Sequence, residues 1–150
     1  MKLQEILSLN CTSCAVPVTS KKRLLEQICQ LAAVEIGNAD PSDLLDSLLD
    51  REKMGSTGIG NGIAIPHGRL SNSHKAVAVL ITTEKAIDFD AIDNRDVDVF
   101  ISLFVPEDSC QEHLETLQCI AKLFSNKQTI KQVRKCSNDK QLYDLIQQAS

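Results

Sequence analysis

Between Gly55 and Gly68 the chain reads GSTGIGNGIAIPHG, and a histidine, His67, closes the run. A neutral imidazole near pH 7 is a competent nucleophile toward a phosphoryl group when one ring nitrogen is fixed by a backbone carbonyl and the other is left free. Pro66 keeps Ile65 extended and cannot donate to a ladder, so a strand is expected to end where His67 emerges. Phosphoryl transfer also needs groups that hold the equatorial oxygens, and a guanidinium fork suits them. Arg51 lies a short way before the glycines, and His113, downstream of Pro106, offers a second ring N–H near a helix start. Spacing alone leaves a surface arginine and a solvated histidine open for these two.

The glycine segment fails the nucleotide patterns. It lacks the Gly-Lys-Ser/Thr of a P-loop, and Gly58-x-Gly60 is followed by Ile63 where a dinucleotide fingerprint needs glycine. Such a loop can still bring backbone N–H groups close to an anion or to a partner's surface. Five of the six glycines lie in it, and the crowding is read as room for a partner's surface to approach His67 closely.

Other candidate groups are weaker. Asp88, Asp90, Asp93 and Asp96 fail the EF-hand pattern and are read as a solvated loop. His74 is read as a surface loop residue, and Lys131, Arg134 and Lys135 as a solvated helix face. Cys11 and Cys14 form a C-x-x-C without redox context or a second pair at zinc spacing, and the six cysteines are expected to be mostly free thiols.

Elements must position these residues. Ser20 is an N-cap for a helix carrying Leu24, Leu25, Ile28, Leu31 and Ala32 until Gly37 stops it. Asp40 with Pro41 opens a second helix through Leu44, Leu45, Leu48 and Leu49, which runs out between Arg51 and Met54. A short helical stripe is expected at Leu3, Ile6 and Leu7 and a strand at Cys14 to Val18. Further strands are expected at Ile63 to Ile65, Ala76 to Thr83 and Val97 to Val105, their continuous apolar character suggesting cover on both faces. Leu114, Leu117, Ile120, Ala121 and Phe124 mark another helix. Ser125 with Gln128 resembles a capping box for the next, and Leu142, Leu145 and Ile146 mark the last. The predicted fold is α/β, a single-domain sandwich over residues 1–150 with a mixed β-sheet flanked by helices on both faces.

Composition narrows the function. The 150 residues are 43% apolar and 24% charged, enough for one core. Aromatic residues make up only 3%, without tryptophan, which argues against a base-stacking surface. A net charge of −4 opposes binding to nucleic acid or anionic lipid. No run of the length of a membrane span and no apolar leader appears, so no membrane insertion and a cytoplasmic location are expected.

The stretch from Arg51 to Gly68 resembles the phosphorylation-site motif of enzyme IIA proteins of the fructose/mannitol class of the bacterial phosphotransferase system, most of all the nitrogen-regulatory enzyme IIA. Thr19 to Arg23, Phe89 to Asn94 and His113-Leu114-x-Thr116-Leu117 resemble the same family, so the likeness spans the chain. Asn61 inclines it to the regulatory branch. The resemblance implies a phosphocarrier with His67 as phosphoacceptor and Arg51 and His113 beside it, charged by a phosphohistidine on an HPr-like carrier without ATP, metal or other cofactor. Its implied partners are regulatory targets such as transporter subunits and sensor kinases. The alternative it carries is a sugar-transport enzyme IIA passing phosphate to a separate fructose/mannitol IIB protein. Asn10 to Val16 follows no pattern of that family.

Overall fold

The computed structural model describes residues 2–71 and 75–149, and His74 lies outside them. In chain order the elements are α1 (Leu3–Ile6), β1 (Leu7–Val16), α2 (Lys21–Ile36), α3 (Pro41–Lys53), β2 (Gly58–Gly60), β3 (Ile63–Ala64), β4 (His67–Leu70), β5 (Val77–Ile87), β6 (Val97–Pro106), a 3-10 turn (Glu107–Ser109), α4 (Cys110–Ser125), α5 (Lys127–Lys135) and α6 (Asp139–Gln148). The six strands form one mixed sheet in the order β1-β5-β6-β3-β2, with β4 also paired to β6. β5 and β6 are antiparallel, while β1 runs parallel to β5, and β3 and β4 run parallel to β6.

The sheet is covered on both faces, as the sequence predicts. Side chains alternate across a strand, and β5 shows it: Val77, Val79 and Ile81 pack with Leu24, Ile28 and Leu48 from α2 and α3. Ala78 and Leu80 point the other way, into Ile120 and Phe124 of α4, Val133 of α5 and Ile146 of α6. Helices α2 and α3 start on the expected caps, with Ser20 accepting from the Arg23 N–H and Asp40 from the Ser42 N–H.

Four expectations are corrected. The first strand spans Leu7–Val16 rather than Cys14 to Val18. Its sequence is polar and its pairing with β5 is irregular, with Ala15 at φ 54°, so periodicity could not find it. Because Cys11 and Cys14 are three residues apart on it, they face opposite sides. Cys11 is buried against α2, and Cys14 lies beside Cys136, donating to its carbonyl at 3.2 Å. The six cysteines are free, and burial pushes the Cys29 thiol up to about 12. Ser125 ends α4 rather than capping α5: its hydroxyl donates back to the Lys122 carbonyl, and Asn126 accepts from the Gln128 and Thr129 N–H groups instead. Arg134 is no free member of a solvated face. Its guanidinium holds Asp98 at 2.9 Å and the Asn61 carbonyl at 2.6 Å, tying α5 to the glycine turn.

The fourth correction concerns the glycines. Gly62 has φ +81° in the β2–β3 turn, where an added Cβ would fall 2.5 Å from the Arg134 guanidinium. Gly68 is pressed on Ser47, with a Cβ meeting its Oγ at 2.7 Å. Gly62 and Gly68 are thus required by turn geometry and close internal packing, while Gly55 has nothing within 4 Å.

Candidate functional site

His67 does not follow the end of a strand; it begins one. Ile63 faces Val99 and His67 faces Leu103 on the same neighbour, β6, with an unchanged offset. β3 and β4 are therefore one line of chain interrupted at Ile65-Pro66. Proline supplies no N–H, but its carbonyl still accepts from the Leu103 N–H at 3.1 Å and from the buried Ser102 hydroxyl at 2.8 Å. The interruption leaves the Ile65 carbonyl free to turn toward the histidine ring.

That carbonyl lies 2.9 Å from Nδ1 of His67 and accepts its N–H. The proton is thereby placed on Nδ1, and Nε2 keeps its lone pair. Arg51, in the last turn of α3, places Nε 3.3 Å from that Nε2. Its Nη1 donates to the Gly55 carbonyl at 2.8 Å, which aims the guanidinium. Burial is the main cause that lowers the His67 pKa, reinforced by the Arg51 charge; the Ile65 bond and Glu52 oppose it. The ring is neutral at pH 7.

His113 stands in the first turn of α4 and is buried, and its Nδ1 has no hydrogen-bond partner among the described residues. Residues paired in a parallel ladder point to the same face, so His67 shares with Leu103 the face that α4 covers. The fold thus brings Arg51 and His67 into contact and sets His113 on the same side of the sheet; no direct bond joins the two histidines.

Residues assigned no part in the site from sequence complete the surroundings. Glu52 is buried, paired with Lys21 at 2.9 Å, and accepts from the Thr57 hydroxyl. Lys21 also sits 4.4 Å above the Phe89 ring. Ser56 donates to the Phe89 carbonyl, and Asp93 accepts from the Asn61 N–H, so the acidic loop, exposed at Asp88, Asp90, Asp93 and Asp96 as expected, also braces the glycine segment. The only sequence signal for Glu52 was its place next to Arg51. Among the described residues no group of three or more His, Cys, Asp or Glu side chains is placed to hold a metal ion. A groove of about 460 Å³ between α5 and the glycine turn, lined by Asn61, Lys127, Lys131 and Lys135, does not include His67.

Such a site offers a neutral nucleophilic nitrogen, a cation beside it and no nucleotide loop. Residues 5–149 match the family described as phosphoenolpyruvate-dependent sugar phosphotransferase system, EIIA 2. The chain belongs to this EIIA family. It is 44% identical to a nitrogen regulatory protein of Klebsiella oxytoca over 99% of this chain and 92% of that one. The crystal structure of the nitrogen regulatory protein IIA-Ntr from Neisseria meningitidis superposes with a TM-score of 0.87 at 36% identity, covering 96% of this chain and 98% of that one. The mannitol IIA of Escherichia coli, at 16% identity and a TM-score of 0.69 over 97% of this chain and 98% of that one, shares the fold. This EIIA is a phosphocarrier of the nitrogen-regulatory type, working through a phosphohistidine relay. Among its described residues no helix is long and apolar enough to cross a membrane.

Proposed function

We propose that His67 is the phosphoacceptor, with Arg51 and His113 as its catalytic partners, and that the phosphoryl group comes from a phosphohistidine on an HPr-like carrier. The observation that carries this is the His67 ring itself, with Nδ1–H held by the Ile65 carbonyl and the unprotonated Nε2 accepting from the Arg51 Nε–H. In the transfer the donor's N–P bond breaks as the Nε2–P bond forms, and the electron pair returns to the donor nitrogen. Nδ1–H stays on the Ile65 carbonyl, which stabilises the positive ring that results. Arg51 turns from Nε2 to the phosphoryl oxygens, and His113 donates to them from the α4 side. Two apolar residues, Met54 three positions beyond Arg51 and Leu114 directly after His113, are exposed at 78% and 46%, which suits a docking protein.

Phosphorylation adds close to two negative charges to that face, so the two states favour different partners. Those partners are regulatory targets in the cytoplasm, transporter subunits and sensor kinases among them. Incubation with a phosphorylated HPr-type carrier is the test. The wild type should gain one acid-labile phosphate, and His67→Ala none. Arg51→Ala should accept it about a hundredfold more slowly with the fold intact. A label persisting in His67→Ala would overturn the assignment, and efficient onward transfer to a fructose or mannitol IIB protein would replace the regulatory role with transport.

A further inference from the structure

A buried carboxylate next to the proposed catalytic arginine has no part in the transfer just described. The Glu52 side chain is only 6% exposed, and burying a charge is costly unless it is paired and hydrogen-bonded. Both conditions are met. Lys21 from α2 reaches Oε2 at 2.9 Å, and the Thr57 hydroxyl donates to Oε1. Lys21 is itself held over Phe89, whose carbonyl takes the Ser56 hydroxyl at 3.0 Å. Four separate segments, α2, α3, the glycine loop and the loop at Phe89, therefore converge on this one ion pair.

From there a line of bonds leads to the histidine. The Thr57 carbonyl accepts from the Ile65 N–H at 3.0 Å, and the Ile65 carbonyl accepts from His67 Nδ1–H at 2.9 Å. Ile65 thus has both its backbone groups committed, one toward Thr57 and one toward the ring. We infer that Glu52 is a positioning residue for His67: through Thr57 and Ile65 it fixes the carbonyl that holds the ring proton on Nδ1 and leaves Nε2 its lone pair. The role rests on His67 being the phosphoacceptor. The charges acting on the ring are Arg51 and Glu52 from α3, and His113 belongs to α4, the helix that covers the same face of the sheet. Arg51 and Glu52 pull the proton affinity of the ring in opposite directions. Adjacent residues of one helix turn so tune and aim the same imidazole.

Two variants separate the charge from the anchor. Glu52→Gln keeps an oxygen for Thr57 and removes the charge; Thr57→Val keeps shape and charge and removes the hydroxyl. Nitrogen NMR of labelled histidine reads the tautomer and titration midpoint of His67, and phosphoryl uptake from a phosphorylated HPr-type carrier reads the rate. In Glu52→Gln the midpoint should fall with the Nδ1–H tautomer retained. In Thr57→Val the tautomer should become mixed and uptake slow by about tenfold or more, as expected when a reacting group is misplaced. A role confined to stability would lower the melting temperature of either variant and leave the ring's midpoint and tautomer at their wild-type values; that result overturns the inference. If Glu52→Gln does not fold, Thr57→Val decides alone. Should the wild type take no phosphate on His67, the functional reading fails, while the NMR titration still tests Glu52.

Discussion

At the scale of the residue, His67 is held neutral chiefly by burial, and that has a consequence for stability. Its pKa in the folded chain lies below the value of about 6.5 of an unperturbed histidine. The unfolded chain binds the proton more readily below that pH, so the folded state loses stability as pH falls from about 6.5 through the folded pKa. Above it the contribution is complete. Urea unfolding between pH 7 and 5 should therefore show a steady loss in the wild type and a shallower one in His67→Gln. Equal slopes would mean that burial does not depress this histidine. Asp40 and Asp93, held low by backbone N–H bonds, act only further down, near the usual range of carboxylates. Sequence named His67 and Arg51 because glycine, proline and histidine at fixed spacing constrain the backbone strongly. It passed over Glu52 because a glutamate on a helix reads as solvated until its neighbours in space are known.

Elements were legible where local signals act alone. Ser20 and Asp40 cap α2 and α3 as their side chains dictate. β1 was not legible before Cys14, because its polar stretch is held as strand by pairing with β5 rather than by any pattern of its own. The same limit hid the resumption of pairing at His67, since Pro66 reads locally as an end. Tight packing of β4 on α3 gives a test at this scale. A methyl group at Gly68 would lie 2.7 Å from Ser47 Oγ, and that hydroxyl already accepts from the Arg69 N–H at 2.8 Å. Gly68→Ala should destabilise by about 1–3 kcal/mol and displace α3, and with it Arg51, from the histidine. Thermal unfolding and phosphoryl uptake should fall together; a wild-type melting temperature would show that Ser47 gives way freely.

For the whole molecule, one sheet divides two apolar layers, and the first and last helices, α1 and α6, meet on one of them. Gln4 donates to the carbonyls of Ile146 and Ala149 at 3.1 and 2.6 Å, so α1 and α6 close the same layer. Sequence showed helices at both ends and strands between them, but not which helix covers which face. That assignment depends on strand order, set by contacts far apart along the chain. If the layers are one cooperative unit, Leu25→Ala from the α2 side and Ile146→Ala from the α6 side should each cost about 2–5 kcal/mol. Both should leave a single denaturant transition. Two separated transitions would make the layers independent.

The unchanged offset of β3 and β4 along β6 has one more consequence, seen in time rather than in space. Opening of the glycine turn does not require His67 to move, because the histidine's backbone is registered on β6, whose strand is buried from Val99 to Val105. Local opening frees segments with few buried contacts and spares those locked into the core. The histidine's backbone accordingly stays in place when that turn opens, and successive partners meet it at one position on the sheet.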